Sequence, residues 1–341
     1  MSEKRMGKQT VRLLHPPTVT AWASVVGKME GKGPMGNCFD RVVQDSYFGQ
    51  QTWEQGESEM LRQCFRLACT KAALTPAALD YLLCGDLLNQ CTASATAMSG
   101  LPTPFLGLYG ACSTMAEGLG LGALLVDGGF ARNLCAATGS HFCSSERQFR
   151  FPLEYGSQRT PTAQWTVTAS GAVILSSEGR GPKITHVTTG RIVDKGITDS
   201  GNMGAAMAPA AYDTLSAHFR DTGRSPADYD AIFTGDLGAI GHRAVLEQFA
   251  KDGHDLTGRY FDCGLLMFDR AKQDVHAGGS GCGCAASILC GHILPNLSSG
   301  TWKRVLFTAT GALLSATSTQ QGLSIPGICH GVALEAEGVS P

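Results

Sequence analysis

Short apolar runs alternate along this chain with longer segments of helical spacing, the pattern of an α/β protein. Val11, Leu13, Val19, Ala21 and Val25 predict strand between Lys8 and Gly27, broken by a turn at His15, Pro16 and Pro17. The glycine-rich stretch Gly27 to Phe39 predicts a surface loop leading into Asp40 to Tyr47. Glu54 to Ala73 places Met60, Cys64, Leu67 and Ala68 on one face of an amphipathic helix. Thr75 and Pro76 suit the cap and first position of a short helix, and Asp80 to Asp86 is the strand that follows. Pro104 to Tyr109 predicts a buried strand, and the small-residue run Met115 to Val126 has the length and spacing of a helix. Cys112, in Gly110-Ala111-Cys112-Ser113-Thr114, therefore falls at a strand-to-helix turn.

The arrangement returns in the second half. Thr75, Pro76, Ala77, Asp80, Gly85, Asp86 and Leu87 recur as Ser225, Pro226, Ala227, Asp230, Gly235, Asp236 and Leu237, a constant displacement of 150 residues. A helix precedes each copy, Glu54 to Ala73 and Ala206 to Thr222. Leu134 to Gly139 is echoed by Leu306 to Gly311, and Gly110 to Thr114 more loosely by Gly279 to Cys284. Such self-similarity implies two copies of one α/β unit about a pseudo-twofold axis, 1–177 and 178–341, with the seam at the polar stretch Ser177 to Pro182.

Composition narrows the function. With 43% hydrophobic and 16% charged residues the chain can bury a full core, and its net charge of −2 supplies no basic footprint for nucleic acid. No leading apolar segment and no apolar run long enough to span a bilayer is visible, so a cytoplasmic protein is expected, associated with a membrane only peripherally. Thirteen cysteines without a secretion signal imply reduced thiols, and their spacing fits no metal site.

In a duplicated α/β fold the carboxyl ends of equivalent strands meet near the pseudo-axis, where ligands bind. That gathers Cys112, the loop Asp86 to Gln90, Ser140, His141, Asp236 and the loop Gly278 to Cys284 with Ser280 and Cys282. At a helix N-terminus a thiol tends to ionise or to sit beside bound negative charge, so the site suits a nucleophile or an anion pocket; a buried, inert Cys112 is the plain alternative. Arg147 and Arg150 can grip a carboxylate bidentately or belong to a solvated, ion-paired segment with Glu146 or Glu154. Asn89 and Gln90 serve a ligand or the turn, and Asp86 and Asp236 hold backbone amides or help to place a cation.

The Gly110-Ala111-Cys112 turn and its small-residue helix resemble the nucleophile segment of the thiolase superfamily, above all the ketoacyl-acyl-carrier-protein synthase III type. More narrowly, Gly85-Asp86-Leu87-Leu88-Asn89-Gln90, Leu125-Val126-Asp127-Gly128-Gly129-Phe130, Glu146-Arg147-Gln148-Phe149-Arg150, Met207-Ala208-Pro209-Ala210-Ala211 and Ala277-Gly278-Gly279-Ser280-Gly281-Cys282 resemble the stage V sporulation protein AD family of spore-forming bacteria. The resemblance implies a thiolase-like, five-layered αβαβα fold with two mixed sheets, and a homodimer paired through the strand beside the nucleophile segment. It also implies binding of dipicolinic acid without cofactor or catalysis, possible company of calcium, and cooperation with membrane partners that move the ligand into the forespore. In the condensing enzymes a histidine and an asparagine or second histidine assist the cysteine; the corresponding positions here are Asp236 and about Cys282, and His242 lies past the strand end. An ionised carboxylate repels an oxyanion and a thiol donates weakly, so condensation is not expected, and acyl transfer by Cys112 is the competing reading.

Overall fold

The computed structural model describes residues 3–149 and 159–339. In the first half the elements are β1 (Thr10–Arg12), β2 (Thr18–Gly27), β3 (Arg41–Val43), α1 (Trp53–Lys71), β4 (Tyr81–Gly85), α2 (Thr92–Met98), β5 (Phe105–Gly107), α3 (Thr114–Asp127), β6 (Asn133–Ser140), α4 (Phe142–Phe149), β7 (Trp165–Thr166) and β8 (Ala169–Ser176). The second half contains β9 (Lys183–Thr188), α5 (Met203–Thr222), β10 (Ala231–Thr234), α6 (Gly238–Lys251), β11 (Tyr260–Asp262), α7 (Cys263–Met267), β12 (Gly279–Ser280), α8 (Cys282–Ile288), α9 (Leu294–Ser298), β13 (Arg304–Ala312), α10 (Ala316–Gln320) and β14 (Gly327–Glu335).

The strand order repeats between halves. Five strands run β5-β4-β6-β8-β2 and five more run β11-β10-β13-β14-β9. In each set the first three are parallel and the last two antiparallel. The two sets meet edge to edge through a single pairing, Thr18 with Lys183, so the two expected sheets form one continuous path. The repeated aspartates do the same work twice: Asp80 accepts the amides of Arg132 and Asn133 at 2.6 and 3.0 Å, and Asp230 those of Lys303 and Arg304 at 2.7 and 2.9 Å.

Three apolar clusters account for five layers. One joins α1 and α2 to the first set of strands through residues such as Met60, Phe65 and Ala97, and another joins α5 and α6 to the second through Met207, Leu215 and Phe249. Between the sheets α3 and α8 form the central layer, with Met115, Leu119, Ala285 and Ile288 fully buried. A helix enclosed on all sides must be apolar around its circumference, which is why α3 is built of small residues and leucines. The α/β architecture is the one expected from the sequence, with the continuous sheet path as one departure and β5 as another. Pro104 to Tyr109 is not a buried strand: β5 is a three-residue edge strand, and Phe105, Leu106 and Tyr109 are 37%, 41% and 43% exposed.

Candidate functional site

Cys112 is presented by a tight turn. Ala111 adopts a left-handed backbone with φ of 50°, the Ser113 hydroxyl donates to the Gly110 carbonyl at 2.6 Å, and the Thr114 hydroxyl donates to the Ala111 carbonyl at 2.6 Å while accepting from Gly110 N–H at 3.1 Å. β13 presses against this turn at Gly311, where a Cβ would lie 2.4 Å from the Gly110 carbonyl oxygen. Across the pseudo-axis Gly281, with φ of 108°, opens α8, and the Cys282 thiol donates to the Gly139 carbonyl at 3.0 Å. Cys112, Cys282, Leu87 and Phe149 pack into one small cluster.

Asp236 stands behind Cys112. It is fully buried at the end of β10, where Oδ2 accepts Gly281 N–H at 2.9 Å and Oδ1 accepts the Thr310 hydroxyl at 2.7 Å. Burial raises its carboxyl to about 6, against these hydrogen bonds, which favour the charged form. The Cys112 thiol is pushed well above the ordinary thiol range, first by burial, then by the neighbouring Asp236 carboxylate and Cys282. Position at the head of α3 therefore does not produce a thiolate: desolvation and a fixed negative neighbour outweigh the helix dipole.

A narrow pocket of about 50 Å³ opens over Cys112. Tyr109, Leu87, Phe149, Met203 and Leu314 give it apolar walls; Ser145, Thr166, Ser280 and Glu146 contribute polar atoms. The Glu146 carboxylate accepts the Thr166 hydroxyl at 3.0 Å. Such a lining can enclose a small flat ring and hydrogen-bond its polar edge.

The remaining predicted residues are placed elsewhere. Asp86 is buried and accepts the amides of Leu88 and Ser94 at 2.8 and 2.7 Å, so it fixes the turn after β4. Cys143 N–H donates to His141 Nδ1 at 3.2 Å, and its Nε2 then donates to the Ser46 carbonyl at 2.8 Å, which turns the ring away from the pocket. The Arg147 guanidinium pairs with Glu54 and lies over the Trp53 ring, 5.3 Å from its centroid, whereas Glu154 lies outside the described residues. Asn89 and Gln90 are exposed and line a shallow outer depression with Tyr109 and Leu314. His242 stacks on Tyr260 with centroids 4.5 Å apart, outside the pocket. Arg150 lies outside the described residues. Sequence reasoning missed Ser145, Phe149 and Thr166 as pocket walls; the helical phase of α4, which puts Ser145 and Phe149 one turn apart, was the available signal.

The profile of the family "Stage V sporulation protein AD (SpoVAD)" matches residues 7–335. The stage V sporulation protein AD of Bacillus subtilis (strain 168) is 44% identical over 335 residues, covering 98% of this chain and 99% of that protein. This chain belongs to the stage V sporulation protein AD family. Solved structures of lower identity share its fold. A variant of OleA from Xanthomonas campestris aligns with a TM-score of 0.60 at 14% identity, over 95% of this chain and 99% of that one. The 3-oxoacyl-[acyl-carrier-protein] synthase III of Aquifex aeolicus VF5 aligns with a TM-score of 0.52 at 13% identity, over 94% and 99%. The fold of this family member is thus thiolase-like, and its family role is in sporulation.

Proposed function

We propose that this family member binds dipicolinic acid in the pocket over Cys112 without transforming it, as a component of the assembly that moves the ligand during sporulation. The observation that carries the reading is Asp236 beside Cys112. A condensing enzyme built on this fold needs an activated thiol and donors for an oxyanion; here a carboxylate faces a neutral thiol, and Cys282 spends its proton on Gly139. The same pocket supports a flat ligand with polar edges, since its walls are largely apolar and Ser145, Thr166 and Ser280 set hydroxyls among them.

No group of three or more His, Cys, Asp or Glu side chains among the described residues is arranged to hold a metal. No helix among the described residues is long and apolar enough to cross a membrane, and attachment to the spore inner membrane from the cytoplasmic side is assigned to membrane-protein partners of the same assembly. Among the described residues β5 pairs with β4 alone, and its exposed apolar edge supports a homodimer, because such an edge is a template for pairing with a second copy.

Calorimetric titration of the purified protein with dipicolinate, with and without calcium, tests the binding. Saturable binding weakened by Cys112→Phe supports the reading. Acylation of Cys112 by a coenzyme A thioester, followed by turnover, would replace it with acyl transfer.

A further inference from the structure

Among the described residues the wall of the Cys112 pocket contains no lysine, arginine or histidine, and its one ionisable carboxyl group is that of Glu146. Among the described residues the titratable groups facing Asp236 from the surrounding elements carry no positive charge: Cys112 from the turn before α3, Cys282 and Cys284 from α8, Asp262 and Cys263 from the end of β11 and the start of α7, and Cys329 from β14. Asp236 itself is held by neutral donors, Gly281 N–H, the Thr310 hydroxyl and the Cys112 thiol. An anionic ligand seated against Cys112 meets this carboxylate across a few ångströms of low-dielectric protein. At an effective dielectric of about 20, a second negative charge at about 5 Å opposes ionisation by roughly a hundredfold or more.

We propose that Asp236 takes up a proton when an anionic ligand occupies the pocket, so that the site accepts a carboxylate only together with that proton. The inference rests on the binding reading given above and adds a charge rule to it. The hydrogen bonds permit the neutral acid. Oδ2 keeps Gly281 N–H, and a protonated Oδ1 donates to the Thr310 oxygen, because a hydroxyl can reverse from donor to acceptor. The free carboxyl, raised to about 6 by burial, is still ionised at physiological pH but needs far less to take up a proton than an ordinary carboxylate does.

The test is calorimetry of dipicolinate binding to the full chain in pairs of buffers with different ionisation enthalpies. The expected result is uptake of close to one proton at about pH 7.5, with Kd rising nearly tenfold per pH unit above about 6. Asp236→Asn mimics the neutral acid, and it is expected to bind without uptake and with a nearly pH-independent Kd, its fold checked by circular dichroism. Uptake lost in Glu146→Gln but retained in Asp236→Asn would move the proton to the pocket wall and overturn the assignment. Saturable wild-type binding with a flat Kd and no uptake would overturn the inference alone, whereas absence of binding would overturn the dipicolinate reading with it.

Discussion

Gly311 is where the second half of the chain touches the turn that presents Cys112, and replacing it with alanine tests whether that contact sets the pocket. The added Cβ would lie 2.4 Å from the Gly110 carbonyl oxygen and 3.2 Å from Ser113 N. An ordinary carbon–oxygen contact needs a separation nearly 1 Å greater than the first value, and the obstructing atom is backbone at the head of α3, unable to swing aside like a side chain. Overpacking of this kind costs about 1–3 kcal/mol. In a chain this large each kcal/mol lowers the melting temperature by about 2–4 °C or less. Relief comes most cheaply by pushing Gly110 and Cys112 toward the pocket, so affinity should fall together with stability. Differential scanning calorimetry and dipicolinate titration of Gly311→Ala measure both. An unchanged melting temperature with unchanged affinity would show that β13 and the Cys112 turn are not in tight register.

Two further outcomes follow from residues outside the pocket. Leu106→Asp, on the exposed β5 edge, should leave the protomer folded but abolish a homodimer, because a twofold interface feels each substitution twice and desolvates two charges; sedimentation showing an unchanged dimer would contradict pairing through β5. His218, whose Nδ1 lies 2.7 Å from the Thr188 hydroxyl and Nε2 2.5 Å from the Tyr229 hydroxyl, is depressed to about 3 by burial and then by His186. Its unfolded value is near 6.5, so as pH falls from about 6.5 toward 3 the unfolded chain binds this proton and the native one does not, and stability is progressively lost. His218→Gln should lose stability outright at neutral pH, yet the gap from wild type should narrow as pH falls through that window, measured by denaturant unfolding; a constant gap would contradict the assignment.

The repeat was legible because turns and strand ends constrain residue type strongly: Asp80 and Asp230 hold equivalent amides, and Gly85 ends β4 as Gly235 directly follows β10. Equivalence by sequence nevertheless overstated equivalence of role. Asp86 holds amides of its own turn, whereas in the second half Asp262 takes the amide of Gly238, the counterpart of Leu88, at 3.0 Å together with that of Leu237 at 2.8 Å, and leaves Asp236 to face the axis. That exchange depends on β11, which no local pattern predicts. Arg147 looked suited to a carboxylate ligand because guanidinium chemistry is visible in sequence, but side-chain direction follows the phase of α4, which turns it to Glu54 and turns Ser145 and Phe149 to the pocket. The β5 segment read as buried because apolar residues on an exposed sheet edge look the same in sequence as apolar residues in a core.

The most direct measurement is a crystal structure of the protein grown with dipicolinate. The account predicts the pyridine ring between Tyr109 and Phe149, its edge against Cys112 and the hydroxyls of Ser145, Thr166 and Ser280, with no bond to sulfur. Ligand density elsewhere with this pocket filled only by solvent, or a covalent adduct on Cys112, would contradict it.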